Sequence, residues 1–329
     1  MDLRISWIVQ IALIFCVMGP ICGQSSDIPP QKLVERTTYG AGFFAEMQKV
    51  LDSLLHYSQE NLRAVHVDWT DEFFPYKEDP HANGWDLYFE PIQIPSAYPI
   101  PEEDFVLVGG LYYHEIHDFP CIDQWKNYDR YLPYRLAVNA ILNKYIKIKE
   151  PITTKANQFV SEKMSGHYCI GVHIRYGSDH GAEAPAGVPT LEDYIEEVSR
   201  VVAAHHGKRV RIYLATDSHY VIKKFQRLFP QEMLLSIDAY RTEYRDVPHL
   251  IYGNGDYWLA HKEEFHRKKP GYSGGEGVLL DALLLGHCDI LVHSSSNIAS
   301  FVSFYNPYIQ SIYLPKSSKT WPCRFGKTP

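Results

Sequence analysis

The chain has 329 residues, 45% of them apolar and 22% charged, and its 32 basic and 39 acidic residues give a formal net charge of −7. This size and composition are typical of a globular protein of about two domains. The net acidity and the lack of any long run of lysines or arginines argue against nucleic acid as the main ligand, and are compatible with a compact anion held by one or two cations.

The first predicted element is an apolar N-terminal segment. Arg4 precedes an apolar run over residues 5–18, and Gly19, Pro20 and small residues near Gly23 follow. This is the layout of a secretory signal peptide, and the run is short for a membrane span of about 20 residues. We therefore expect cleavage near Gly23 and a protein of the secretory pathway, in the Golgi lumen or secreted. A retained type II Golgi anchor is the competing interpretation. The protein would be bound to a membrane only in that case.

Four cysteines remain after such cleavage: Cys121, Cys169, Cys288 and Cys323. In an oxidising compartment four cysteines allow three pairings, among which sequence does not choose. Cys169 and Cys288 adjoin apolar, strand-like runs and are candidates for buried free thiols. Cys121 and Cys323 lie in polar loops beside prolines and are better candidates for a bridge. No Cys/His spacing resembles that of a zinc site.

The N-terminal third begins as an alternation of helix and strand. A glycine-containing turn at residues 39–42 precedes residues 43–59, whose apolar side chains recur at helical spacing. Residues 62–69 then form a strand-like run. We assign residues 24–164 to an N-terminal α/β domain.

The middle of that domain has a different composition. Residues 70–129 are rich in proline, tryptophan, tyrosine and acids, which predicts loops that form either a binding lip or irregular packing. The region of Trp69, Trp85 and Tyr88 suits stacking on a sugar as well as packing. Helical connectors punctuated by Pro151 complete the domain.

From residue 168 onward, strands and helices alternate regularly. The alternation predicts a parallel, doubly wound sheet over residues 165–318, followed by a tail at 319–329. Thr190 and Asp193 have the spacing of a helix capping box. In such sheets ligands bind beyond the carboxyl ends of the strands. The predicted strands are YCIGVHIR, RVRIYLATD, EMLLSID, DILVH and IQSIYL, and the helices between them are TLEDYIEEVSRVVAAHH, SHYVIKKFQRLFP, GEGVLLDALLLGH and SNIASFVSFY.

Polar groups follow three of these strands, at residues 175–179, 216–217 and 293–297. The serine-rich turn at 293–297 opens a helix, where hydroxyls, unpaired backbone N–H groups and the helix dipole favour an anion such as phosphate. Arg175 adds a guanidinium fork that matches phosphate oxygens. Because all these groups should face one crevice, their convergence favours a phosphate-containing ligand.

Each group also has a purely structural interpretation. Residues 294–297 form an N-cap, and Asp217 caps the helix that follows it. In this interpretation Asp281, inside a leucine-rich helix, lies on the narrow polar face of that helix and is solvated. In the same interpretation, residues 179–189 form a surface loop whose acids are solvated.

The combination of motifs HIRYGSDHGAEA, TLEDYI, IYLATDS and GVLLDALLLGHCDILVHSSSN resembles, in order and spacing, the superfamily of inverting fucosyltransferases. That superfamily includes the animal core α1,6-fucosyltransferases, the rhizobial nodulation fucosyltransferases and, more remotely, the protein O-fucosyltransferases. The resemblance covers residues 168–313 and implies a GT-B-like fold of two Rossmann-like domains, with the donor site in the C-terminal one and residues 24–164 on the acceptor side. It also implies transfer of fucose from GDP-fucose to a glycan or glycoprotein acceptor, with inversion and without a cofactor or metal. Independently, the chain has no D-x-D pair.

The resemblance assigns roles residue by residue. Arg175 matches the arginine that binds the donor β-phosphate, and Asp281 matches the aspartate that pairs with the guanine edge. Glu183, ten residues after His173, falls where the core enzymes have the catalytic base. The implied catalytic set is Glu183, Arg175 and, as second candidate base, Asp179; the implied donor-binding set is His173, Arg175, Asp217, Asp281, Ser295, Ser296 and Asn297.

The chain departs from the core enzymes at several of these positions. Tyr176 stands where they have a second arginine, His180 where they have a lysine, and Ser218 where they have a second aspartate; Asp179 falls one residue late. These differences leave the acceptor open. Two other classes stay under consideration: a catalytically inactive, secreted carbohydrate-binding protein of the same fold, and a secreted hydrolase using His173 or His293 with the serines at 294–296.

Overall fold

The computed structural model describes residues 31–36, 42–57, 62–92, 105–108, 125, 127–176, 189–241, 263 and 269–315. The predicted signal segment, the predicted Cys121–Cys323 bridge and the loop that carries Asp179, His180 and Glu183 lie outside these residues. No helix in the described ranges has the length and apolar character needed to cross a membrane.

A small parallel sheet organises the N-terminal part, with strand order β2-β1-β3. Helix α1 follows β1 and buries Met47, Val50, Leu51 and Leu54, which recur at helical spacing along one face. The helix and β2 are as predicted, whereas β1 and β3 were not predicted. The elements are β1 (Gln31–Arg36), α1 (Phe43–Tyr57), β2 (Leu62–Asp68) and β3 (Phe105–Val108).

The segment after β2 is irregular and is organised by a buried lysine, Lys77. Its ammonium is fully buried and donates hydrogen bonds to backbone carbonyls on both sides of the segment. Burial lowers the pKa of Lys77 to about 8, so the ammonium stays charged at neutral pH. Four carbonyl oxygens lie within hydrogen-bond distance of its three N–H groups, so two of them share one N–H. They are those of Trp69, Thr70, Pro80 and Ala82, at 3.2, 2.9, 2.9 and 2.7 Å.

The aromatic residues of this segment form a packed cluster. Trp69, Trp85 and Tyr88 are buried, and the short helix α2 (Trp85–Tyr88) carries the last two. The Trp69 and Trp85 rings meet edge to face with centroids 5.2 Å apart, and Phe43 of α1 contacts Tyr88 in the same way at 5.0 Å. These three side chains therefore fill a core, and the interpretation that they stack on a sugar is wrong.

Two helices connect the sheets, α3 (Leu132–Tyr145) and α4 (Glu150–Phe159). Pro151 lies in the first turn of α4, where a missing backbone N–H costs no helical hydrogen bond. It therefore starts the second helix, in agreement with the predicted break between two helical connectors. Helix α3 packs against α1.

A five-stranded parallel sheet forms the C-terminal part, with strand order β6-β5-β4-β7-β8. The predicted parallel sheet is confirmed, although β6 is shorter than expected because a 3₁₀ turn at Gln231–Met233 takes up the start of its run. The elements are β4 (Tyr168–Ile174), α5 (Leu191–Ala204), β5 (Val210–Thr216), α6 (His219–Leu228), β6 (Leu234–Leu235), α7 (Gly271–Gly286), β7 (Ile290–His293), α8 (Asn297–Tyr305) and β8 (Gln310–Tyr313).

Helices cover both faces of this sheet, as a doubly wound fold requires. Helices α5 and α6 cover one face over a core that includes Val172, Val198 and Phe225. On the other face, the core under α7 and α8 continues into the residues around the first sheet. Phe44 of α1 and Phe301 of α8 meet with ring centroids 4.7 Å apart. The two sheets therefore share one apolar core.

Cys169 of β4 and Cys288, after α7, are buried free thiols in this shared core, as predicted. Burial raises the pKa of Cys169 to about 11 and also raises that of Cys288. Both are therefore thiols, and not reactive thiolates, at neutral pH.

Candidate functional site

The carboxyl ends of β4 and β7 form the candidate site. Strand β4 is the first of its sheet along the chain, and its neighbours β5 and β7 lie on opposite sides of it. The strand order therefore reverses between β4 and β7, and such a switch point leaves a crevice where doubly wound sheets bind ligands. His173 and His293 are paired at the ends of these two strands.

His173 and Ser296 meet across the crevice. The alternation of β4 turns Val172 and Ile174 into the core under α5 and α6, and His173 to the opposite face, where its Nδ1 lies 3.1 Å from Ser296 Oγ. Which of the two atoms donates depends on the imidazole tautomer. Ser296 also caps α8, since its hydroxyl accepts the Ala299 backbone N–H at 3.1 Å. The Ser296 hydroxyl therefore makes the predicted N-cap and also contacts His173.

The rest of the serine-rich turn is divided between core and solvent. Ser294 is buried and hydrogen-bonds with the Tyr194 hydroxyl of α5, whereas the Ser295 and Asn297 residues are exposed. The Asn297 carbonyl accepts a hydrogen bond from Gln48 Nε2 of α1 at 3.3 Å. The turn therefore offers exposed groups to the crevice while α1 holds it from the side of the first sheet.

Arg175 and Asp217 pair at the carboxyl ends of two neighbouring strands of the same sheet. Arg175 follows β4, Asp217 follows β5, and their charged atoms are 3.9 Å apart. The other oxygen of Asp217, Oδ1, accepts the Tyr176 backbone N–H at 2.8 Å. The N-cap of α6 is Ser218, which makes no side-chain cap, so the interpretation of Asp217 as a helix cap is wrong. Asp217 instead holds the two strand ends together.

Tyr76, from the segment after β2, is a neighbour of this pair that the sequence did not indicate. Tyr76 is buried, and burial raises the pKa of its phenol. The nearby Arg175 cation and a hydrogen bond with the Phe43 backbone lower that pKa, but by less. The N-terminal part of the chain therefore reaches the Arg175 side of the crevice. The only sequence signal was an aromatic residue in a loop-rich stretch, which is not specific.

Asp281 has partners that explain an acid in a leucine-rich helix. It is 7% exposed, and its Oδ1 accepts a 2.6 Å hydrogen bond from the Tyr213 hydroxyl of β5. Its Oδ2 lies 4.0 Å from Arg241, whose guanidinium also donates to the Thr216 carbonyl at the end of β5. Burial raises the pKa of Asp281 to about 6, although Arg241 and the Tyr213 hydrogen bond oppose the rise. The interpretation as a solvated residue is wrong, and the guanine contact stays a prediction.

His293 is a structural residue. It is fully buried, with Nε2 2.8 Å from Ser311 Oγ and Nδ1 2.8 Å from the Ser294 carbonyl oxygen. Burial lowers its pKa to about 4, so it is neutral at physiological pH and both its nitrogens are engaged. A hydrolase that uses His293 as a base has no support in this geometry.

A G-x-S-x-G sequence does occur, at residues 271–275. Ser273 of this sequence lies in the first turn of α7, and no strand described in the structure leads directly into it. A nucleophile elbow requires a sharp turn from a strand into a helix. The sequence therefore does not form such an elbow.

Among the residues that the structure describes, no group of three or more His, Cys, Asp or Glu side chains is arranged to hold a metal ion. The structure thus brings His173 to Ser296, and Arg175 to Asp217, at the carboxyl ends of the strands of one sheet. Arg241 contacts both Asp281 and the end of β5. Asp179 and Glu183 stay predictions.

The chain is similar in sequence and in fold to known fucosyltransferases. No family model matches the chain. Nodulation protein Z of Sinorhizobium fredii is 21% identical over 274 residues, which are 72% of this chain and 79% of that protein. A crystal structure of NodZ α-1,6-fucosyltransferase soaked with GDP-fucose aligns with a TM-score of 0.54 and 17% identity, covering 84% of this chain and 93% of the other. The resemblance to the fucosyltransferase superfamily is confirmed.

A further solved structure agrees on the fold. The selenomethionine form of fucosyltransferase NodZ from Bradyrhizobium aligns with a TM-score of 0.52 and 17% identity, covering 85% of this chain and 92% of the other. The predicted α/β, GT-B-like architecture is therefore confirmed.

Proposed function

We propose that this protein transfers fucose from GDP-fucose to a glycan or glycoprotein acceptor, with inversion at the anomeric carbon and without a metal. The observation that carries the proposal is the pairing of His173 with Ser296, and of Arg175 with Asp217, at the switch point of the second sheet. Fucosyltransferases with the same fold, solved with GDP and with GDP-fucose, support it.

The donor diphosphate is proposed to bind between Arg175 and the N-terminus of α8. Negative charge grows on the diphosphate as the bond to fucose breaks, and fixed positive groups stabilise that charge most where they need no rearrangement. Arg175 supplies a full positive charge, and it is held in place by Asp217. The turn of Ser295, Ser296 and Asn297 supplies hydroxyl, amide and backbone N–H donors at the positive end of the α8 dipole.

These groups replace a metal in the proposed mechanism. A divalent cation in other glycosyltransferases neutralises the departing diphosphate; here Arg175 and the helix terminus do so. Transfer that persists unchanged in excess EDTA, at the rate seen with added Mg²⁺ or Mn²⁺, is the expected result. A rate that falls to the background level in EDTA and returns with either ion would contradict this part of the proposal.

Inversion follows when the acceptor hydroxyl attacks from the side opposite the diphosphate. A carboxylate takes the hydroxyl proton as the new bond forms, and the fucosyl group passes through an oxocarbenium-like state. Glu183 is proposed as this base, with Asp179 as second candidate; both follow Arg175 along the chain. Proton NMR of the first-formed product tests the stereochemistry, since inversion converts the β-linked donor into an α-linked product.

Arg175→Ala tests the donor site directly. We expect calorimetry to detect no GDP binding by this variant, because the side chain supplies the main charge for the β-phosphate. Arg200→Ala is the matched control: Arg200 is a surface arginine on α5 that pairs with Glu197, and its removal should leave GDP affinity unchanged. Unchanged GDP affinity in Arg175→Ala would remove the nucleotide site from the proposal.

The alternative function, a carbohydrate-binding protein without transferase activity, is favoured by one observation, Tyr176 in the position of a family arginine. Thermal shift with GDP, GMP, UDP and free fucose separates the two. Stabilisation by GDP supports the transferase, and stabilisation by fucose alone supports the carbohydrate-binding protein. We further propose that the protein acts in the secretory pathway, on the basis of its N-terminal segment; sequencing the N-terminus of protein secreted from a eukaryotic host tests the predicted cleavage near Gly23.

A further inference from the structure

Three cations lie together at the amino-terminal end of the second sheet, away from the candidate site. Lys208 and Arg209 immediately precede β5, and Arg211 is its second residue. The strands of this sheet are parallel, so the crevice lies at the other end of β5. That strand spans seven residues, which separates the two ends by about 20 Å. We call Lys208, Arg209 and Arg211 the basic cluster.

The basic cluster has no acidic partner in the described part of the chain. None of its three side chains forms a salt bridge there, whereas Arg200 on the neighbouring helix α5 pairs with Glu197. The sequence has no acid between Glu197 and Asp217. Asp289, at the same end of the sheet, is engaged with the Cys169 backbone N–H at 2.7 Å. The positive charge of the cluster is therefore available to an anion from solution.

The two arginines of the cluster offer guanidinium groups on the side of α7. Ile212 packs into the core under α5 and α6, and side chains alternate along a strand, so Arg211 lies on the opposite side. Its Nε is buried without a hydrogen-bond partner among the described residues. Arg209 is exposed, and its Nη2 lies beside Gly166, in the turn before β4. Such groups match the oxygens of tetrahedral anions in bidentate fashion.

Lys208 carries its charge on the other side of the sheet. Its ammonium lies over the Tyr168 ring, 4.3 Å from the centroid, and Tyr168 packs against the core under α5 and α6. His205 stacks on the same ring, with centroids 4.0 Å apart and planes inclined by 14°. The exposed Lys208 is thus already positioned, which reduces the entropy that an anion must remove on binding. The cluster therefore places charge on both sides of the start of β5.

We propose that the basic cluster binds a linear sulfated polysaccharide; this site is separate from the proposed donor site and does not depend on the proposed function. Short clusters of lysine and arginine are typical of heparin and nucleic-acid sites. Duplex nucleic acid is the less suitable partner, because the chain has a net charge of −7 and a duplex is held through many phosphate contacts. A flexible sulfated chain needs only to pass over the start of one strand to contact all three cations.

The test is calorimetry of the full chain with a heparin oligosaccharide of defined length at physiological salt. Lys208→Glu/Arg209→Glu should weaken binding by at least about tenfold, because each cation lost removes a contact with an anion, and Lys208→Gln/Arg209→Gln should weaken it less. Lys144→Glu/Lys147→Glu is the matched control: it changes the net charge equally at two exposed lysines on and just after α3, and should leave heparin affinity unchanged. Circular dichroism confirms that each variant is folded.

The same samples separate this proposal from the other interpretations. No heparin binding by the unmodified chain, or equal binding by Lys208→Glu/Arg209→Glu, would overturn it and leave these cations as partners of the negative end of the α5 dipole. Duplex DNA that binds as tightly as heparin, or hyaluronan, which has carboxylates but no sulfates, would also overturn it. GDP affinity should be unchanged in both cluster variants; failure of the unmodified chain to bind GDP would overturn the proposed function alone.

Discussion

Asp281 is a buried carboxyl whose charge state changes near neutral pH. Tyr213 donates to one of its oxygens and Arg241 faces the other, yet burial is the dominant effect and raises its pKa to about 6. Such a group is a suitable partner for the two N–H donors of a guanine edge, because only the ionised carboxylate accepts from both. A raised pKa then makes this recognition sensitive to pH.

We expect GDP affinity to fall as the pH drops below about 6. Protonation of Asp281 removes an acceptor for the guanine edge, and the proton must leave before GDP binds the ionised carboxylate. Below this pKa, GDP affinity should therefore fall by about tenfold for each pH unit. Calorimetry with GDP, ADP and UDP from about one pH unit below this pKa to about two units above it measures the effect. Asp281→Asn should flatten the profile and abolish the preference for GDP; a variant that keeps both would show that Asp281 is purely structural.

Glu183→Gln tests the proposed base. Loss of a general base lowers turnover by about 10²- to 10⁴-fold, while an uncharged isostere outside the donor site should leave GDP affinity unchanged. Asp179→Asn is the comparison variant for the second candidate. Near-normal turnover in Glu183→Gln combined with a large loss in Asp179→Asn would transfer the role of base to Asp179.

The residue pairs show how far the sequence reaches at this scale. Arg175, Asp217 and Ser296 follow the ends of strands, and the parallel order of those strands was enough to predict that they lie near one another. His173 lies inside β4, and only the resemblance placed it with them. The partners of Asp281 were not predictable, because Tyr213 and Arg241 are 68 and 40 residues away in the chain. Only the packing of α7 on β5 brings them together.

At the scale of elements, α8 is both a structural and a proposed functional element. Ser296 caps the helix through Ala299 and contacts His173. Removal of an N-cap hydroxyl costs about 1 kcal/mol of stability. If the same turn binds phosphate, the loss must also appear in GDP affinity.

Ser296→Ala should therefore lower the free energy of unfolding by about 1 kcal/mol and weaken GDP binding as well. Thr190→Ala is the control: Thr190 forms a capping box with Asp193 at the start of α5, so it should show a similar loss of stability with GDP affinity unchanged. Urea denaturation and calorimetry measure the two quantities. Equal GDP affinity in both variants would show that Ser296 only caps its helix.

The elements that were not predicted have a physical reason for being missed. Strand β1, QKLVER, has only two apolar residues in succession, and β3 has four residues. Such strands depend on their neighbours, because strand preference reflects packing and pairing more than local composition. Helix α1 and strand β4 were predictable because long apolar patterns mark them.

At the scale of the whole molecule, the two sheets are connected by their core. Phe44 of α1 contacts Phe301 of α8, and Gln48 of α1 holds the start of α8. A protein with this GT-B-like fold need not have two independently stable halves. The same helix that completes the first sheet also supports the proposed phosphate turn of the second.

Thermal unfolding should therefore occur as one transition that includes both sheets. Phe44→Ala should lower stability by about 3–5 kcal/mol, the usual cost of deleting a buried aromatic ring, and should destabilise both sheets together. Calorimetry combined with hydrogen exchange of β2 and β5 amides checks this. Two separate transitions, or faster exchange limited to β2, would mean that the halves unfold independently.

The buried ammonium of Lys77 gives the segment between β2 and α2 a cation of its own. Four carbonyls converge on it much as they would on a bound potassium ion. Unlike a dissolved ion, this one is covalently attached to the chain and is present in every molecule. The segment that carries Tyr76 to the crevice therefore obtains its internal cation without taking up an ion from solution.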